Sequence, residues 1–243
     1  MQGERRAPDW LTATTYAHRG LHAAGVPENS LAAARAAMAR GLGIECDIQR
    51  SLDDHPMVFH DWDLERLTGR GGLTEALVAD ELEGLPLLGT DQAPVRLATF
   101  LAEIGGRVPL LIEIKSQPDY DVERTCVTVA RLLERYRGPA AAMSFDPRVP
   151  EWFAEQAPRI CRGLVGTDSL PNGYERVWRD PQAIERASPD FLALDRRDLG
   201  CAQASAWRQQ GGRLLSWTIR TSTEAGEARA HADALIAEGE ALA

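Results

Sequence analysis

The sequence has no apolar run approaching the ~20 residues that a bilayer-spanning helix needs. Stable membrane insertion is therefore not expected. The first residues, MQGERRAPDW, carry two arginines with no apolar core behind them. They do not read as a secretory leader, and the cytoplasm is the expected compartment. Cysteine is scarce: Cys46, Cys126, Cys161 and Cys201 lie far apart and form no C-x-x-C pair. This argues against structural zinc and against a disulfide framework, and leaves the four as small hydrophobes in a reducing compartment. Positive charge is also short, with 27 Lys and Arg against 36 Asp and Glu, for a net charge of −9. Nucleic acid and anionic membrane surfaces are poor partners for such a chain. A small anionic ligand stays compatible if cations gather locally or a metal ion assists. No internal repeat, low-complexity tract or long linker divides the 243 residues, so one domain over 1–243 is expected.

What is present is an alternation of strand-like and helix-like runs. TTYAHRG (14–20), GIECDIQ (43–49), PMVFHD (56–61) and LLIEIKS (110–116) read as strands. PAAAMSFD (139–146), ICRGLVG (160–166), DFLALDR (190–196) and RLLSWTIR (213–220) complete a set of eight. Helices are expected over 29–41, capped by Asn29 or Ser30, over 95–106, and over 121–136, where Val122, Cys126, Val129, Leu132 and Leu133 keep helical spacing. Others are expected over 149–157, irregularly over 172–187, and over 203–211 and 222–239, with a short extra strand near the C-terminus. Only the second and third strands have no helix between them. The pattern predicts a parallel (β/α)₈ TIM barrel, with a doubly wound open sheet as the alternative. Residues 62–94 break the rhythm, because an ordinary βα loop runs to about 2–6 residues. This long insertion after the third strand is expected to act as a lid or substrate-contacting segment.

In LLIEIKS, Leu111, Glu113 and Lys115 share one strand face. Buried charge of that kind needs a partner, a metal or a ligand. The other expected strand ends supply them: His18 and Arg19 on the first, Glu45 and Asp47 on one face of the second with Cys46 turned away, and His60 on the third. In a barrel these ends converge at the mouth, where active sites of the fold lie. Glu45, Asp47 and Glu113 form an all-oxygen set suited to one hard divalent cation, Mg²⁺ or Ca²⁺. His18 and His60 suit a general acid and a general base near neutral pH. Arg19 and Lys115 offer fixed positive charge to a phosphate.

Taken in order, HRG with PENS, IECDIQ, VFHD with LERLTGRGG, LIEIKS, MSF and SWTIR resemble the glycerophosphodiester phosphodiesterases from about residue 14 to 220. The resemblance implies a (β/α)₈ barrel that binds one divalent ion and cleaves a small glycerophosphodiester into glycerol 3-phosphate and an alcohol. It places metal ligation on Glu45, Asp47 and Glu113, acid–base work on His18 (acid) and His60 (base), and phosphate contact on Arg19 and Lys115. The order of the two histidines stays open, as does the nucleophile: water, or the substrate's adjacent hydroxyl through a cyclic phosphate. Trp217 either stacks on the substrate or lies along the wall. Two departures stand out: Arg220 replaces a common asparagine in WTVN, and AEGEAL replaces TD-x-P. Glu28 and Asn29 are within reach of the site; His22 follows the first motif closely but is not expected to line the mouth, and His55 and His231 read as solvated. Three other readings compete: a lysophospholipid-cleaving enzyme with an apolar rim of Trp62, Leu85, Leu87 and Leu88, a non-catalytic phosphate-binding barrel, and a metal-dependent sugar isomerase on the same fold.

Overall fold

The computed structural model describes residues 7–169 and 173–243. The start of the N-terminal stretch and residue 172, where the irregular helix was expected to begin, lie outside them. Among the described residues, ten strands form one sheet. They are β1 (Tyr16–Ala17), β2 (Gly43–Arg50), β3 (Pro56–Val58), β4 (Val95–Arg96), β5 (Leu110–Ile114), β6 (Ala140–Ser144), β7 (Cys161–Gly166), β8 (Phe191–Asp195), β9 (Arg213–Ile219) and β10 (Ala234–Ala237). β1 pairs in parallel with both β2 and β10. The parallel order β1-β2-β5-β6-β7-β8-β9-β10 thus closes on itself, giving the expected eight-stranded barrel. The helices α1 (Leu31–Ala39), α4 (Leu97–Ile104), α5 (Val122–Leu133), α6 (Arg148–Gln156), α7 (Pro181–Ala187), α8 (Ala202–Gln209) and α9 (Ser222–Arg229) alternate with them. No helix among the described residues is long and apolar enough to cross a membrane.

The count of eight is right but its membership differs. β3 runs antiparallel to β2, and β4 antiparallel to β3, so both lie outside the barrel. A parallel neighbour needs a crossover of about a dozen residues or more. Residues 51–55 allow only a tight turn, with Asp54 at φ 64°. β10, expected only as a short extra strand, takes the eighth place. Beyond β3 the chain forms two short helices, α2 (Glu65–Thr68) and α3 (Ala79–Glu83). Met57, Phe59, Leu64, Ala79, Leu82 and Leu87 give this part its own apolar cluster. Pro181, expected inside a helix, stands at the first position of α7, where its missing N–H costs nothing, and Asp180 caps that end.

Strand alternation divides the apolar residues into two layers. Tyr16, Leu111, Met143, Val165, Phe191, Leu215 and Ile236 fill the barrel, closed at one end by Leu11. Ile44, Cys46, Ile48, Ile112 and Leu194 face outward onto the helices. Helix α5 presents Cys126, Val129 and Leu133 to that outer layer, and Asp121 caps it by accepting from the Arg124 amide. At Gly163 a Cβ would meet the Phe191 ring at 2.3 Å. Gly163→Val should therefore overpack the barrel and destabilise it by about 1–3 kcal/mol. Gly71→Ala, in open space, should stay within about 0.5 kcal/mol. Urea unfolding of the two variants checks the contrast, and equal midpoints would remove the packing argument.

Candidate active site

Glu45, Asp47 and Glu113 meet at the barrel mouth because β2 and β5 are in register, with Asp47 opposite Glu113. All three are buried, and one oxygen from each lies within 4.8 Å of the others. Cys46 points the opposite way into the outer core. Lys115 Nζ reaches Asp47 Oδ1 at 2.7 Å and also contacts Glu113. Arg19 Nε stands 3.3 Å from Asp47 Oδ2, and the Arg19 amide donates to Glu45 Oε2 at 3.0 Å. Asn29 clamps Asp47 twice: its Nδ2 donates to Oδ2 at 2.8 Å, and its Oδ1 accepts from the Asp47 amide at 3.2 Å. Asn29 is therefore not a helix cap, a role taken by Ser30, which accepts from the Ala33 amide.

The local backbone is built for this. Arg19 and Asn29 have φ values of 56° and 55°, a region L-residues enter at a cost. Gly20, at φ 78°, is required for a second reason: a Cβ there would lie 2.8 Å from that of Ala33 on α1.

Electrostatics divide the carboxylates. Burial and the charges of Asp47 and Glu113 push the Glu45 carboxyl well above the usual range. Burial acts the same way on Asp47, but Lys115, His60 and Arg19 overcome it and hold that carboxyl low. Burial disfavours the Lys115 ammonium, yet Asp47 and Glu113 outweigh it and raise its pKa. Lys115 is the one lysine among 26 arginines, a signal that marks this position from composition alone. Three buried oxygens incompletely neutralised by side chains are a donor set that fits a hard divalent cation.

His18 and His60 line the same cavity as these residues, about 290 Å³, floored by Met143, Val165 and Ile236. His18 Nδ1 sits 2.6 Å from Glu238 Oε2, and His60 Nδ1 sits 2.6 Å from Asp61 Oδ1. Burial lowers the His18 pKa against the raising effect of Glu238. Trp217 is on the cavity wall, its indole N–H donating to the Ala193 carbonyl at 2.9 Å and its ring edge-on to Phe145. A second cavity of about 640 Å³ continues past His60, bounded by Trp62, Asp63, Gln117, Phe145 and Tyr174. His22 stands 3.5 Å from Glu238, while His55 and His231 are exposed.

With this geometry in view, the comparisons are decisive. The model of the glycerophosphoryl diester phosphodiesterase family matches residues 18–237. The chain belongs to that family. A putative glycerophosphodiester phosphodiesterase, YhdW of Bacillus subtilis (strain 168), is 25% identical over 226 residues, covering 88% of this chain and 89% of the relative. The glycerophosphodiester phosphodiesterase of Caldanaerobacter subterraneus subsp. tengcongensis is 35% identical over 99 residues, 40% of this chain and 37% of that one. Among solved structures, an Oleispira antarctica phosphodiesterase in complex with the product sn-glycerol-3-phosphate shares the fold with a TM-score of 0.80 at 22% identity, covering 92% of both chains. A Thermotoga maritima glycerophosphodiester phosphodiesterase does so with a TM-score of 0.74, also at 22% identity, covering 92% and 93%.

Glycerophosphoryl diester phosphodiesterases are enzymes, and every residue that the sequence nominated for this site is brought to its mouth. The sequence singled out Glu28 and Asn29 but not the other residues that hold the site. Glu238 was visible only as part of AEGEAL, and Arg66 only inside LERLTGRGG. The two departures from the family pattern turn out to meet, with Arg220 Nε 2.8 Å from Glu238 Oε1. Glu28 joins Arg19 at 2.6 Å to Arg66 at 2.8 Å, and Arg66 reaches Asp61 at 2.6 Å. Burial alone would raise the Glu28 carboxyl, but hydrogen bonds from Arg66 and Arg19 bring it from 4.5 to about 2. Because the folded value is depressed, this stabilisation is complete above the unfolded value and is lost as pH falls toward 2. In urea unfolding, the wild type should exceed Glu28→Gln at pH 6, and the gap should shrink between about pH 4.5 and pH 2 and close below that. A gap that widens on acidification would contradict the ion-pair account.

Proposed function

We propose that this chain hydrolyses small glycerophosphodiesters to sn-glycerol 3-phosphate and an alcohol, with a divalent cation held by Glu45, Asp47 and Glu113. The observation that carries the reading is the joint presence, around one cavity, of the buried oxygen triad and two carboxylate-held histidines. The product in the Oleispira relative supports the substrate class. Mg²⁺ or Ca²⁺ suits the donors, and when bound it would supply Lewis-acid polarisation of the phosphate.

The chain's own residues supply the rest. Arg19 and Lys115 flank the triad and offer positive charge to a phosphodiester. Each histidine has Nδ1 engaged, so Nε2 is its available nitrogen, one ring taking the proton of the attacking oxygen and the other protonating the leaving oxygen. The smaller cavity suits the glycerol phosphate, with Trp217 as wall. The larger one, edged by Trp62 and Asp63 from the segment after β3, suits the departing alcohol, so that segment governs head-group choice.

The lipid-substrate reading is weaker. Of its four rim candidates Leu87 is buried, Trp62 and Leu85 are half-buried, and only Leu88 is exposed. A non-catalytic barrel would have no reason to retain two braced histidines beside the acids.

A panel of glycerophosphodiesters, with and without chelator, tests the reading by product identification. EDTA should abolish turnover and added Mg²⁺ or Ca²⁺ restore it, and full activity in a verified metal-free sample would sink metal dependence. Glu113→Ala should weaken metal binding measured by calorimetry, whereas Cys46→Ala should leave it nearly intact. His18→Ala and His60→Ala should each lose on the order of 10²–10⁴ in turnover. A nitrophenyl ester, whose leaving group needs little protonation, should rescue whichever variant lacks the acid. Equal, unrescued losses would refute the division of labour.

A further inference from the structure

At the rim of the barrel, three side chains stand in a row on neighbouring strands. Parallel pairing of β9, β10 and β1 sets the residues just past their ends, Arg220, Glu238 and His18, side by side. The His18 amide donates to the Ala237 carbonyl at 2.8 Å, and the Glu238 amide to the Ile219 carbonyl at 2.9 Å. Glu238 uses Oε2 on His18 Nδ1 at 2.6 Å, with His22 Nε2 3.5 Å from the same oxygen, and Oε1 on Arg220 Nε at 2.8 Å. His18 and Arg220 line the cavity; Glu238 does not. A carboxylate off the cavity wall, with an oxygen committed to each of two residues that are on it, is placed to orient rather than to react.

The other histidine is held in the same way by unrelated segments. His60 Nδ1 meets Asp61 Oδ1 at 2.6 Å, and Arg66 Nε meets Asp61 Oδ2 at 2.6 Å. Ring, carboxylate and guanidinium follow in the same order on both sides of the oxygen triad. The recurrence points to ring orientation as what the arrangement serves, since a single surface ion pair would contribute little.

Resting on the reading of His18 as an acid–base group, we infer that Glu238 is the positioning residue of His18 and that Arg220 keeps Glu238 in place. As a carboxylate Glu238 only accepts, so the proton of a neutral His18 sits on Nδ1 and Nε2 is left for the substrate. When the ring takes up a proton, the same carboxylate offsets its charge. Arg220 stops Glu238 from turning out to solvent. Removing Arg220 therefore acts through Glu238, not beside it.

Wild type, Glu238→Gln, Arg220→Gln and the double variant distinguish these relations. Glu238→Gln should lower kcat by about tenfold to a hundredfold with KM within about threefold. Arg220→Gln should lower kcat less, and the double variant should match Glu238→Gln within about twofold rather than multiply the two losses. Glu238→Asp should recover part of the loss. Independently of turnover, ¹⁵N NMR of the imidazoles should show the Nδ1–H tautomer of His18 in the wild type and its loss in Glu238→Gln. An unchanged tautomer, a rise in KM alone, or multiplicative losses in the double variant would overturn the inference; the KM result would make these residues substrate contacts. If Glu238→Gln fails to fold, Arg220→Gln and Glu238→Asp carry the same comparison. A wild type that cleaves no glycerophosphodiester would sink the functional reading instead, and the tautomer would still decide the role of Glu238.

Discussion

Three carboxylates buried at the mouth of one barrel are the constraint around which the rest is arranged. Taking charge out of water costs several kcal/mol per ion unless it is paired. Here the pairing is uneven. Asp47 is served by Lys115, Arg19 and Asn29, whereas Glu45 has a single backbone amide from Arg19. The shortfall falls where a cation is expected. It also explains the one lysine in a chain that otherwise uses arginine. A compact ammonium fits between carboxylates on adjacent strands, where a planar fork would need more room and more acceptors.

From this centre an ordered chain of ion pairs runs outward. Arg19 passes to Glu28, Glu28 to Arg66, Arg66 to Asp61, and Asp61 to His60. It ties the two ends of the loop between β1 and α1 to the short helix α2 and to the residues just past β3. The positive φ values of Arg19 and Asn29 are part of the same construction, since they turn one amide toward Glu45 and one side chain toward Asp47. Local strain is thus offset by contacts that would otherwise be left unmade.

Barrel and insertion divide the work along physical lines. Strand ends are rigid because each is hydrogen-bonded on both sides, and they carry the groups whose placement must be accurate. The segment after β3 has a small apolar cluster of its own and meets the site through Asp61, Trp62 and Asp63. Variation there can reshape the larger cavity without moving the triad, which is the basis of the head-group role proposed for this segment.

The one-dimensional pattern determined a good deal. Alternation along IECDIQ and LLIEIKS was enough to put Glu45, Asp47, Glu113 and Lys115 on inward faces, because side-chain direction in a strand depends only on parity. The eight-strand count and the barrel class followed from the β–α rhythm. Which strands close the ring did not: PMVFHD has a strand's composition, and only the short turn at 51–55, combined with pairing geometry, makes it a hairpin arm and admits ALIA to the barrel. Nor did the pattern reveal that Glu238 holds His18, 220 positions away, or that Asn29 clamps Asp47 instead of capping α1. The first joins strand ends that are neighbours only once β10 pairs with β1 and the sheet is shut; the second joins a loop residue to β2. Local sequence encodes the face a side chain points to; its partner across the mouth is decided by closure.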